Sequence, residues 1–123
     1  MAEAITRELS AGRVDVRSAG LTPLGWIAPQ TFEALETLGY PSDDLSSKGL
    51  EEFDTEGFDV VVSLLGERGL DYIPPRIAAR REAWPIPDPF GEDEEVYIEV
   101  GRLLEQRIRL LLTDELDSEL FSP

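Results

Sequence analysis

At 123 residues with 41% hydrophobic content the chain suits one domain with a real core, and 26 acidic against 11 basic side chains leave it a net charge of −15 at pH 7. Such a surface repels nucleic acid and anionic membranes, both of which need clustered Lys and Arg. With no Cys and no His, the chain is denied disulfides, thiolate metal sites, a cysteine nucleophile and the commonest general base, and no cofactor or metal is expected.

No run of about 18 apolar residues predicts a membrane span, and no charged-then-apolar leader stands at the amino end, so the expected location is cytoplasmic. Lys48 is the one lysine among the basic residues. An acidic, lysine-poor surface suits a salt-rich cytoplasm, where screening relieves self-repulsion.

Met1 to Leu9 has helical composition, with Met1, Ile5 and Leu9 four apart. No N-cap residue precedes it, and Gly12 is the expected C-cap. Val14 to Leu21 sets Val14 and Val16 against Asp15 and Arg17, then turns small at Ser18-Ala19-Gly20, which reads as a strand. Thr22 to Ile27 is a loop. Pro29 opens a helix to about Leu38, with Phe32, Leu35 and Leu38 on the apolar face and Gly39 ending it.

Pro41 to Lys48 is a polar connection carrying Ser42, Asp43, Asp44, Ser46 and Ser47, read as solvated loop in preference to ligand contacts. Gly49 to Phe53 forms a single turn. Phe58 to Leu65 (FDVVVSLL) is the clearest strand, and its unbroken β-branched run predicts burial on both faces in a parallel sheet. Gly66 breaks it, and Gly69 to Ile73 is a helical turn ended by Pro74-Pro75. Arg76, Arg80 and Arg81 form a local basic patch; pairing with Glu82 is favoured over steering of an anionic substrate.

Trp84 to Gly91 (WPIPDPFG) carries prolines at 85, 87 and 89, so it is an extended piece running into a stiff loop. Asp88 sits between two of them. A carboxylate held there beside apolar rings can donate a proton, because partial burial raises its pKa; the alternative is an Asx-type turn residue. Glu92 to Glu95 form an acidic first turn for a long helix whose face is Val96, Val100, Leu103, Leu104, Ile108 and Leu111. The expected organisation is one α/β domain over residues 1–113, a sandwich with a small parallel sheet, and an acidic tail over 114–123.

Met1-Ala2-Glu3-Ala4, Ser18-Ala19-Gly20, Ser47-Lys48-Gly49-Leu50, the strand Phe58–Leu65, and Trp84–Gly91 with its following helix stand in the order found in one family. The chain resembles the low-molecular-weight protein tyrosine phosphatases, including their thioredoxin-coupled arsenate reductase branch. The resemblance implies a three-layer sandwich with a parallel sheet ordered 2-1-3-4. It implies Asp88 as the general acid, Pro89 and Phe90 as loop wall, and Met1 and Ala2 as the helix end facing the phosphate. It also implies a phosphorylated protein or small aryl phosphate as substrate.

Family members place an apolar strand and a Cys-x5-Arg-Ser loop immediately before the Met-Ala-Glu-Ala helix, and this sequence begins where that loop would end. Leu65 to Tyr72, where the reductases carry redox cysteines, holds none, so reductase chemistry is not open to these residues. Losing a central strand's five or so buried side chains, at ~2 kcal/mol each, forfeits about 10 kcal/mol, comparable to a whole domain's stability. The two remaining strands are then expected to pair directly, recruit another chain, or leave an edge open to self-association. Three expectations follow: a longer gene product, of which this chain is a truncated part; a cysteine-less binding protein; or an unrelated acidic interaction domain.

Overall fold

A computed structural model describes residues 1–19, 27–42, 45, 57–74 and 77–117. In chain order these form helix α1 (Ala2–Leu9), helix α2 (Pro29–Leu38), strand β1 (Phe58–Ser63), a one-turn helix α3 (Glu67–Leu70), strand β2 (Ala78–Ala83) and helix α4 (Glu94–Leu112). A π-helical turn, Thr113–Asp117, continues from α4 where an acidic frayed tail was expected. The fold is α/β with a small parallel sheet. The chain divides into two compact units: a helical one of Met1–Ser18, Ile27–Leu45 and Pro89–Pro123, and a strand one of Ala19–Trp26 and Ser46–Asp88.

In the helical unit α1, α2 and α4 meet through their apolar faces. Ala4 and Ile5 of α1 are buried, Ile5 completely. The helix ends at Ser10, and Ala11 (φ 52) and Gly12 (φ 78) then turn the chain through the left-handed region. The C-cap thus falls two residues before Gly12. In α2, Pro29 occupies the first turn as expected, since a missing N–H costs nothing there. Gly39 at φ 86 sends its amide to the Glu36 carbonyl and lets Tyr40 donate to the Leu35 carbonyl at 2.8 Å, a Schellman ending. The buried face is Thr31, Ala34 and Leu35, and Phe32 is 37% exposed, so the helix is turned from the expected Phe32–Leu35–Leu38 stripe.

Helix α4 starts where its charges say it should. The Asp93 carboxylate accepts the Val96 amide at 3.3 Å, with Glu94 and Glu95 in the positive first turn. Its buried seam is Tyr97, Val100, Gly101, Leu104, Ile108 and Leu112. Helix α2 packs closely on Gly101: a Cβ there would stand 2.6 Å from Leu38 Cδ1, which would have to shift. Thr37 donates to Glu94 at 3.1 Å, and Tyr40 donates to Glu105, so polar ties flank the α2–α4 seam.

In the strand unit β1 and β2 run parallel, with Phe58 opposite Ala78, Val60 opposite Arg80 and Ser63 opposite Ala83. The pairing continues as Trp84 N–H donates to the Ser63 carbonyl at 2.8 Å, and Leu65 bridges Pro85. β1 ends at Ser63, two residues short of the expected Leu65, and its three valines are half-buried where full burial was expected. β2 is the element sequence patterning missed. AARREA carries no β-branched residue, and two of its arginines belong to the expected basic patch; β1's ladder, not propensity, makes it a strand. The helical turn expected at Gly69–Ile73 sits earlier, at Glu67–Leu70.

The strand expected at Val14–Leu21 does not form over its described residues. Val14 and Val16 are half-buried and Asp15 and Arg17 exposed, so the alternation is real, but no ladder partner joins it among the described residues. Extended backbone without a paired neighbour is not a strand. Gly20 and Leu21, the Thr22–Trp26 loop, the Gly49–Phe53 turn, Asp43, Asp44, Ser46, Ser47, Pro75 and Arg76 lie outside the described residues. No helix among the described residues is long and apolar enough to cross a membrane.

Candidate functional site

The Trp84–Gly91 loop grows directly out of the sheet. Trp84 is buried, and its indole N–H donates to the Glu82 carboxylate at 3.0 Å. Ile86 donates to the Leu64 carbonyl at 3.3 Å, and no amide is lost to this ladder at Pro85, Pro87 or Pro89 because proline has none to give. Beyond Pro89 the chain reverses: Glu92 N–H donates to the Pro89 carbonyl at 2.9 Å, with Gly91 at φ 87 supplying the third turn position. The loop therefore has a rigid root at Trp84 and a closed turn leading into α4.

Asp88 lies between root and turn, and it is exposed, as is Phe90 at 54%; Pro89 is half-buried. The half-buried, apolar setting expected for the Asp88 carboxylate is not what the loop provides. Prolines on both sides of Asp88 restrict the backbone there, and the residue is exposed. Asp88 closes the strand unit, whereas Pro89, Phe90, Met1 and Ala2 belong to the helical unit.

Met1 and Ala2 head α1, both half-buried, with no side chain capping the helix. The Met1 carbonyl accepts Ile5 N–H at 3.0 Å, and the Ala2 carbonyl accepts the Thr6 hydroxyl at 2.7 Å. Met1 Sδ approaches the face of Gly101, which places its side chain in the helical core. Burial holds the Met1 ammonium below its ordinary value, with Glu3 acting the other way.

Three groups outside the expected site prove to be organised. Glu3 is only 4% exposed, and its carboxylate takes Arg7 Nη2 at 2.9 Å and the Ser18 hydroxyl at 2.7 Å, tying the segment after α1 to its first turn. The four-residue spacing of Glu3 and Arg7 was a legible signal; the Ser18 tie was not. Tyr40 is pushed up to about 12, first by burial and then by donating to the Glu105 carboxylate, against the opposing Arg109 charge. Arg81 does not pair with Glu82: it donates to the carbonyls of Leu70 at 2.8 Å, Ile73 at 3.1 Å and Pro74 at 3.1 Å. Arg80 takes Glu82 instead, at 2.7 Å.

A family model described as low molecular weight phosphotyrosine protein phosphatase matches residues 1–121. A glutaredoxin arsenate reductase of Synechocystis sp. is 31% identical over 114 residues, covering 91% of this chain and 85% of that protein. Among solved structures, an arsenate reductase in the reduced state overlays at a TM-score of 0.79 with 30% identity, covering 92% of this chain and 86% of that one. Vibrio vulnificus Wzb in complex with benzylphosphonate overlays at 0.76 with 14% identity, covering 92% and 87%, which is a likeness of fold.

Proposed function

Because the chain belongs to the low molecular weight phosphotyrosine protein phosphatase family, arsenate reductases among its relatives, we propose that its scaffold serves the hydrolysis of aryl phosphate esters through a cysteinyl-phosphate. The match over residues 1–121 is the observation that supports this reading most strongly. In it, Asp88 is the general acid. It protonates the departing phenolate and then activates the water that hydrolyses the phosphoenzyme. Pro89 and Phe90 wall the aryl group, and the amino end of α1 at Met1 and Ala2 offers free amides and a positive dipole to the phosphate.

Residues 1–123 contain no cysteine, so the thiolate in this reading comes from outside them, as from a longer gene product carrying the Cys-x5-Arg loop. These residues by themselves are then inactive. An exposed Asp88 fits an acid whose apolar surroundings are completed by substrate and by that loop. The lack of any cysteine favours a second reading, a binding protein that recognises phosphorylated partners without turnover.

The test pairs intact mass with activity. Protein isolated from its native source is weighed and assayed on p-nitrophenyl phosphate beside residues 1–123. A mass above 13.7 kDa with turnover that Asp88→Asn lowers about 10²–10⁴-fold bears the enzyme reading out. A mass of 13.7 kDa and no turnover overturns it in favour of binding.

A further inference from the structure

We propose that Glu82 is a positioning residue for the Asp88 loop, which it steers through the indole of Trp84. Arg80, Glu82 and Trp84 alternate along β2 and its continuation, so their side chains share one face of the ladder. There they form a chain of three. Glu82 Oε2 accepts Arg80 Nε at 2.8 Å and Nη2 at 2.7 Å, and Glu82 Oε1 accepts the Trp84 indole N–H at 3.0 Å. Each carboxylate oxygen therefore has its own donor. The two-pronged grip of the guanidinium leaves the carboxylate little freedom to turn, which fixes where the indole lies.

Trp84 is buried, and its indole has a single hydrogen to place. Its backbone is held as well, since its amide donates to the Ser63 carbonyl at 2.8 Å. Ring and backbone together set the direction in which the chain leaves the sheet. Just beyond, Leu65 bridges Pro85, and Ile86 N–H reaches the Leu64 carbonyl at 3.3 Å. Pro85, Pro87 and Pro89 then each fix one φ and restrict the residue before them. Few free torsions remain between the indole and Asp88, so a change of direction at Trp84 is passed along the loop. What Asp88 does there rests on the phosphatase reading; that Glu82 places its loop does not.

Hydrogen exchange on the 123-residue protein, followed at the backbone amides and the Trp84 indole N–H, tests the placement. Glu82→Ala is expected to speed exchange at the indole and at the Ile86 amide roughly ten- to a hundredfold, while the amides of β1 and α4 hold their rates. Glu82→Gln keeps an oxygen for the indole and is expected to fall between. Trp84→Phe keeps a ring without the donor; it should match Glu82→Ala at Ile86, and the two together should add nothing. These last variants carry the test should Glu82→Ala not fold. Unchanged exchange at Ile86 in the folded variants, or an equal acceleration of β1 and α4, overturns the role. Made in the native gene product, Glu82→Ala should lower kcat on p-nitrophenyl phosphate about tenfold or more with KM little changed, and should lower it no further in the Asp88→Asn background. A loss undiminished in that background also overturns the role. Native protein without turnover removes the general-acid reading alone, and the exchange result then decides on Glu82.

Discussion

The helical and strand units are stabilised by different means. In the helical unit three amphipathic elements contribute whole faces, so Ile5, Ala34, Leu35, Val100, Leu104 and Ile108 are all buried to 6% exposure or less. In the strand unit a two-stranded parallel ladder leaves its valines half-buried, and Arg81 binds carbonyls of the connection between the strands. A core of many small dispersion and transfer contributions spreads its load; an assembly resting on a few polar contacts concentrates it. Substitutions in the first unit should therefore act globally and those in the second locally.

The largest effect is expected at Ile5, fully buried among the helices. Ile5→Ala leaves a cavity and should lower unfolding free energy by about 2–5 kcal/mol in denaturant melts followed by far-UV dichroism. If the loss were confined to α1 exchange, the helical unit would not share one core. Next comes Gly69→Ala, whose Cβ collides with Ser63 Oγ and meets Ser63 Cβ at 3.1 Å. An overpacking cost of about 1–3 kcal/mol is expected, read as faster exchange over 66–74 with α4 unaltered.

Tyr40→Phe sharpens the helical side of the comparison. Removing the hydroxyl leaves Glu105 without its donor and should cost about 1–2 kcal/mol at neutral pH. The tyrosine's pKa rises from 10 to about 12 on folding, so the folded state holds its proton more tightly. That contribution is complete below pH 10 and is lost as pH climbs from 10 to 12. Stability of the parent protein should fall across that window, and the Phe variant should fall less; parallel curves would remove Tyr40 as the cause. The smallest effect is expected at the exposed Asp15–Arg17 pair, 3.2 Å apart, where Asp15→Asn should shift stability by less than about 0.5 kcal/mol. A larger loss there would mean that the extended segment Val14–Ser18 bears load.

What could be read from residues alone tracks this same division. Helices announce themselves locally. Pro29 and Gly39 bracket α2, Asp93 and the glutamates open α4, and the four-residue spacing of Ile5 and Leu9 marks α1, each by chemistry confined to a few neighbouring residues. The family, to which the order of the family-like stretches points, was equally legible. Which side of α2 is buried was not: Thr31 is buried and Phe32 is exposed, the reverse of their polarity.

For the strand unit, sequence by itself determined β1, through a β-branched run that suits a pleated surface in any context. Only tertiary structure decided that AARREA becomes β2 and VDVRSA does not become a strand. A strand exists by virtue of the ladder beside it, and the second segment has the better pattern but no paired neighbour among the described residues. The same holds for Arg81, whose three acceptors come from a segment up to eleven residues away and meet it only once α3 has turned. Ladder pairing and side-chain bonds to carbonyls of another segment leave no trace in composition or period, which is why the local elements could be foreseen and these contacts could not.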